Sequence, residues 1–335
     1  MKKIFLLLLI IVLLQFICLP NSVAQPTLLW EKEFTGKTAK LYSIIFTADE
    51  KYVFFDTRES NNLTSAVLYC IDTESGNIVW QTSYYRGGIG GKGYESGIAV
   101  SNSLGYVMVA GRKKIYVYKI SDGSNVSVLT RSDIKELIGY LILAEDRYLA
   151  AYVFGWGVFF IDLKNPEVSW FYRKSFRFGV QPVAVSRDGK VLVLQSIEIG
   201  HTAYTSRVIS CFTKSESELW SFCPMTYANK DLYVLAVSAS YDFKKILVFT
   251  VDKKSGEHTL YFLNENGKIV RTITSTDVYS PVISADGTRI LGLRNFKLVL
   301  LDESFNKIWE TSFDIWWKKH KFIYYFYCRS VYARR

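Results

Sequence analysis

The chain has 335 residues, of which 49% are hydrophobic and 16% aromatic. That is enough apolar material for a large core, and the length allows one large domain or two ordinary ones. The formal charge is +10, but eight of those charges are Lys2, Lys3 and the six Lys/Arg of the last 18 residues. The body is close to neutral, so the charge gives no reason to expect a nucleic-acid partner.

In chain order, the first element is a leader. Lys2 and Lys3 precede the apolar run FLLLLIIVLLQFI (5–17), and Ser22-Val23-Ala24 closes with a small-x-small site. This tripartite pattern predicts a signal peptide over 1–24, cleaved near Ala24, and a mature chain that is secreted or periplasmic. The run is shorter than the ~20 residues a membrane helix needs, so no transmembrane span is expected in the mature chain. Ile17 before Cys18 is not the small residue that a lipid-attachment signal carries. Next, TLLWEKEF (27–34) reads as a lone strand.

Two phrases then alternate six times. The first appears as SIIFTADEKYVFF (43–55), GIAVSNSLGYVMVA (97–110), YLILAEDRYLAAY (140–152), PVAVSRDGKVLVL (182–194), LAVSASYDFKKILVF (235–249) and PVISADGTRILGL (281–293). The second appears as LYCIDTESGNIVW (68–80), IYVYKISDGSNVSV (115–128), VFFIDLKNPEVSW (158–170), VISCFTKSESELW (208–220), LYFLNENGKIV (260–270) and LVLLDESFNKIW (298–309). Alternating apolar, β-branched and aromatic residues predict strands, and the Asp, Asn, Ser and Gly between them predict turns, so each phrase is a hairpin. Asp188-Gly189 is a strong hairpin signal of this kind.

Two hairpins make a four-stranded antiparallel sheet. Six sheets repeated every 40–50 residues or so predict an all-β propeller. Trp80, Trp170, Trp220 and Trp309 share one repeat position, with Val128 and Val270 expected there in the other two blades. A large flat side chain at that place suits packing against the neighbouring blade. Asp72, Asp162, Asn264 and Asp302 are expected to bond backbone amides two residues on.

The LYCIDTESGNIVW phrase resembles the repeat of PQQ-like β-propellers, and VAVSRDGKVLVL and PVISADGTRILGL resemble YVTN and WD-type repeats. The resemblance covers about 26–313 and implies the fold more than a function, since these families do many things on one scaffold. Members that bind the quinone hold it over calcium, often beside adjacent cysteines. This chain has no adjacent cysteines and no clear ligand set, so no cofactor is expected.

The propeller domain is thus placed at 25–313, with six readable blades and an incomplete seventh. The remainder, 314–335, abandons the alternation for IWWKKHKFIYYFYCRSVYARR. Three readings stand for this basic aromatic tail: a truncated seventh blade, an altered reading frame, or a tail in its own right.

Catalytic candidates are few. GGIGGKG (87–93) has the G-x-G-x-x-G spacing, but a strand rather than a helix follows it. His201, His258 and His320 lie far apart, and no ligand spacing or G-x-S-x-G elbow is present. No catalytic, metal or cofactor residue is assigned. Cys70 and Cys211 fall at equivalent strand positions and read as small core residues rather than a disulfide pair.

The connections between blades are more informative. They gather basic and aromatic residues, notably Tyr85, Arg86, Lys92 and Tyr94 in one, and Tyr172, Arg173, Lys174, Phe176 and Arg177 in another. Such loops predict a partner-binding face for a protein or an anionic or glycan ligand. The chain therefore reads as an exported, non-enzymatic binding or scaffold module. A quinoprotein-like oxidoreductase or propeller hydrolase is the alternative, and a polysaccharide-binding surface protein a third reading.

Overall fold

Strand-forming sequence dominates the described residues, and pairing is local: every strand bonds to the one before or after it in sequence. The computed structural model describes residues 40–58, 64–86, 97–132, 134, 138–153, 157–173, 180–198, 205–295 and 297–312. The expected leader (1–24), the lone strand at 27–34, GGIGGKG and the tail (314–335) lie outside them.

Sheet 1 holds β1 (Lys40–Phe46), β2 (Tyr52–Arg58), β3 (Ser65–Asp72) and β4 (Ile78–Tyr85). Sheet 2 holds β5 (Ile98–Ser101), β6 (Tyr106–Ala110), β7 (Lys114–Lys119) and β8 (Asn125–Thr130). Sheet 3 holds β9 (Ile138–Ala144), β10 (Tyr148–Val153), β11 (Gly157–Asp162) and β12 (Asn165–Arg173). Sheet 4 holds β13 (Val180–Val185), β14 (Val191–Glu198), β15 (Thr205–Phe212) and β16 (Glu218–Phe222). Sheet 5 holds β17 (Leu232–Ala239), β18 (Ile246–Asp252), β19 (His258–Leu263) and β20 (Ile269–Thr274). Sheet 6 holds β21 (Tyr279–Ile283), β22 (Arg289–Arg294), β23 (Lys297–Asp302) and β24 (Lys307–Ser312). The single described helix, α1 (Pro224–Ala228), is one short turn that opens on Pro224 and ends at Asn229 in the left-handed region (φ 50°). The sheets form two compact units, sheets 1 and 2 in one and sheets 3 to 6 in the other.

Within each unit, neighbouring sheets share apolar layers. Ala184, Leu192, Ile209 and Cys211 of sheet 4 pack with Val234, Ile246, Val248 and Tyr261 of sheet 5. Leu247, Phe249, Leu260 and Phe262 of sheet 5 pack with Ile290, Val299 and Leu301 of sheet 6 and with Val278 just before it. The Ser-x-Asp turns organise the first hairpins. Ser186, Ser240 and Ser284 each donate their hydroxyl to an aspartate two residues on, and each hydroxyl accepts the amide that closes the turn. The amide of Arg187 then donates to Tyr241 O at 3.0 Å, and that of Tyr241 to Ala285 O at 2.8 Å, linking three successive sheets.

Three of the four tryptophans, Trp80, Trp170 and Trp220, reach into the next sheet as the repeat suggests. Trp80 Nε1 donates to Ile120 O (2.7 Å), Trp170 Nε1 to Lys214 O (3.1 Å) and Trp220 Nε1 to Glu265 O (2.7 Å), each acceptor lying in a turn of the next sheet. Trp80 covers Gly123 and Trp220 covers Gly267 so closely that a Cβ on either glycine would stand 2.7 or 2.5 Å from the ring.

The expectation for Val128 and Val270 is corrected by one residue. In five sheets the pairing of third and fourth strands shifts, so that one residue of the fourth strand has no opposite number: Val79, Val126, Leu219, Val270 and Ile308. Trp80, Trp220 and Trp309 come just after that bulge, and so do Ser127 and Arg271. Val270 is 65% exposed. Arg271 takes the tryptophan's part: its guanidinium donates to Glu303 O and Ser304 O, both at 3.1 Å, in the turn of sheet 6. There Phe305 (φ 71°) stands where the turns of sheets 1, 2 and 5 have Gly76, Gly123 and Gly267.

The polar residues before these turns all accept backbone amides, two of them at the expected reach and two further on. Asp162 Oδ1 accepts the amide two residues on, and Asn264 Oδ1 the amides two and four on. Asp72 Oδ1 accepts the amide three on, and Asp302 Oδ1 the amide four on.

Candidate functional site

An antiparallel four-strand order puts the connections between sheets at one end of every sheet, together with the turn joining the second and third strands. The two remaining turns occupy the opposite end. Of the expected partner-face residues, Tyr85, Arg86, Tyr172 and Arg173 are described, and these belong to the connection end.

Tyr85, the last residue of β4, is exposed there, and Arg173 ends β12 exposed. Tyr172 is only half open: its ring lies 4.7 Å from that of Phe212 in the next sheet, and its hydroxyl stands 3.4 Å from Gln195 Oε1. It is a packing residue between sheets. Lys92, Tyr94, Lys174, Phe176 and Arg177 lie outside the described residues.

Arg86 departs from its expected place on the surface. It is 0% exposed, with Nη1 3.0 Å from Asp56 Oδ2, and Tyr84 donates its hydroxyl to the same oxygen at 2.7 Å. The reason is parity. Along β4, Tyr84 points in and Tyr85 out; the alternation continues one residue past the strand, held by the Arg86 amide bonding to Thr64 O, and carries Arg86 inward. The sequence signal was Asp56, a carboxylate inside the apolar strand VFFDT, since a buried acid needs a cationic partner.

The connection end of sheets 5 and 6 carries a cluster outside the expected partner-face residues. Tyr233 pairs across to Val251, and Val251 to His258, so Tyr233 and His258 face the same side of sheet 5. On that side His258 stacks on Phe249 at 5.3 Å, and Tyr279 of sheet 6 meets the imidazole edge-on at 4.8 Å. Burial lowers the pKa of His258.

Three cations of the cluster have a carboxylate beside them. Lys253 Nζ lies 4.1 Å from the Tyr233 ring centroid and 2.8 Å from Asp231 Oδ1. Burial disfavours the ammonium, but Asp231 outweighs it and the Lys253 pKa rises. Lys230 lies 3.5 Å from Glu257, which also accepts the Ser275 hydroxyl at 2.7 Å; the Ser275 bond, with Lys230, holds the Glu257 carboxyl below its usual range. Arg294 Nε lies 3.0 Å from Asp277 Oδ1.

Exposure follows the same geography. Among the described residues the exposed aromatic side chains are Tyr85 (49%), Tyr227 (62%), Tyr233 (43%) and Tyr279 (44%). All four stand at connection ends, whereas the exposed aliphatics Val79, Leu219, Val270 and Ile308 sit on the fourth strands. Among the described residues no group of three or more His, Cys, Asp or Glu is placed to hold a metal ion. No described helix is long and apolar enough to cross a membrane.

Comparison with solved structures decides the architecture. The β-propeller domain of Cps50 (Swd1) from Myceliophteria thermophila superposes with a TM-score of 0.51 at 10% identity, covering 84% of this chain and 87% of that one. Kuenenia stuttgartiensis hydrazine synthase gives 0.52 at 12% identity, covering 79% of this chain and 77% of that one. The fold is a β-propeller. Its six described sheets are blades, numbered as above. No protein-family model and no curated protein matches the sequence.

Proposed function

We propose that this chain is an exported, non-enzymatic propeller that serves as a binding or scaffold module and engages its partner through the connection end of its blades. The observation that carries the reading is the segregation of exposed tyrosines. Four large aromatic rings left in water at one kind of position, and at no other among the described residues, cost hydration free energy that a partner would recover. Aromatic residues are also the side chains most enriched at recognition surfaces. Blades supply the rigid frame, and the connections supply the contacts.

Export rests on the leader pattern at 1–24, and PQQ-like or YVTN-like repeat chemistry on the phrases quoted above. The envelope or the cell exterior is then where a protein or glycan partner is met.

Two measurements test this. Mass spectrometry of the envelope and secreted fractions should find chains beginning at Gln25; recovery only of chains that retain Met1 would reject export. The tagged full-length chain should capture a reproducible partner set from envelope extract, and Tyr85→Ser with Tyr227→Ser should reduce the yield while circular dichroism stays unchanged. Equal capture by this variant would refute the placement of the binding face.

A further inference from the structure

We propose that the seam between blades 5 and 6 at the connection end binds an uncharged hexopyranose chain, a neutral polysaccharide, between the rings of Tyr233 and Tyr279. The inference rests on the binding-module reading and specifies its ligand.

Geometry comes first. Tyr233 stands near the start of β17 and Tyr279 starts β21, and these two strands lie against each other. The row Tyr233–Val251–His258 crosses two strand spacings, about 10 Å, and Tyr279 adjoins its far end at His258. Both tyrosines are fixed from behind, one by Lys253 at 4.1 Å and the other by His258 and Phe249. They are thus platforms set in advance, which lowers the ordering cost of binding. The C–H face of a pyranose is a natural partner for such a ring, which offers flat apolar area on one side and a hydroxyl at its rim.

Charge then chooses between ligands. Lys253 with Asp231, Lys230 with Glu257, and Arg294 with Asp277 are matched one to one. These pairs carry no net charge of their own to attract an anion, and Arg86, expected on a basic face, is buried with Asp56. The matched pairs instead offer ammonium and guanidinium donors beside carboxylate acceptors. Sugar hydroxyls, each both donor and acceptor, can use both kinds. A protein partner is less suited, since the centre of a protein interface is depleted of Lys, Asp and Glu, and here such residues flank each ring.

The test is calorimetry of the full-length protein with cellohexaose and with the N-acetylglucosamine hexamer, at low and high salt, with a heparin hexasaccharide and a proline-rich peptide as rivals. At least one neutral hexasaccharide should bind with an affinity that salt does not change. Tyr233→Ala and Tyr279→Ala should each weaken it about tenfold or more, while Tyr233→Phe and Tyr279→Phe, which keep the platform and its packing, stay within about threefold. Binding of neither neutral sugar, salt-dependent binding of heparin alone, preference for the peptide, or alanine variants that bind like the wild type would each overturn the proposal. If the sugars fail while envelope capture still depends on Tyr85 and Tyr227, this ligand assignment falls and the binding-module reading stands. If both fail, both fall.

Discussion

Substituting Arg86 alone should unfold far more of the protein's stability than any exposed loop charge. The guanidinium and the Asp56 carboxylate are both fully buried, 3.0 Å apart, with the Tyr84 hydroxyl on the same oxygen. Arg86→Met keeps most of the aliphatic volume but leaves a carboxylate in the core without its countercharge. Removing one partner of a buried pair costs about 3–5 kcal/mol, against about 0–1 kcal/mol for an exposed pair. Total stability of a natural domain is only about 5–15 kcal/mol, so the loss would be a large fraction of it. Removing both charges is a different perturbation: Asp56→Leu with Arg86→Met should recover most of the loss, because the core no longer holds an orphaned ion. Urea titration followed by tryptophan fluorescence gives both values, with Arg173→Met as the exposed control. A single-variant loss below about 1 kcal/mol, or a double variant no better than the single, would refute the argument that Arg86 is a core residue set by strand parity.

Three further outcomes are expected. Gly267→Ala should cost clearly more than Gly256→Ala, since both have φ +71° but a Cβ at Gly267 meets the Trp220 ring at 2.5 Å and one at Gly256 meets nothing within 4 Å; the left-handed conformation alone accounts for about 1–2 kcal/mol, and equal urea midpoints would discount the indole contact. Burial pushes the Cys70 and Cys211 thiols up to about 12, so peptide mapping should find both unlabelled by iodoacetamide in the native protein and labelled after unfolding. Burial works against the Asp162 carboxylate, but Arg147 and the Lys164 amide outweigh it and lower its pKa. Its contribution is therefore whole above the unfolded value of about 3.9 and fades as pH falls through the folded value. Asp162→Asn should lose stability at pH near 7 and close the gap to wild type near pH 2; a gap independent of pH would contradict the assignment.

The repeating hairpins were legible because their signals are local. Ser186-x-Asp188, Asp188-Gly189 and Asp72 bonding the amide of Ser75 are contained within a few residues, and alternation marks the strands on either side. What was not legible depends on a neighbour or on phase. The bulge at Val270 displaces the repeat by one residue, and only the paired strand reveals that Arg271 lies opposite Phe262. Arg86 looked like a loop charge because the alternation of β4 was not carried beyond its end. Tyr172 looked like a recognition residue because its partner Phe212 is 40 residues away in sequence. Tyr233 and Tyr279 are not among the residues expected on a partner face. Their cluster depends on the register Tyr233–Val251–His258, which no single stretch of sequence displays.

The unpaired residue in the outer strand of five blades has a consequence for life at high concentration. Each of these fourth strands is a sheet edge that carries an exposed aliphatic side chain, Val79, Val126, Leu219, Val270 or Ile308. A straight edge of that composition would invite another chain to add a strand and begin an aggregate. The extra residue interrupts the regular ladder and bends the strand where the apolar side chain emerges, so an incoming strand cannot stay in register past it. Deleting Val270 would make that edge continuous, and the expected result is a protein that precipitates rather than one that merely melts earlier. Protection against edge-to-edge pairing would thus lie in backbone irregularity at the rims of these sheets, in a form that a count of surface charges would miss.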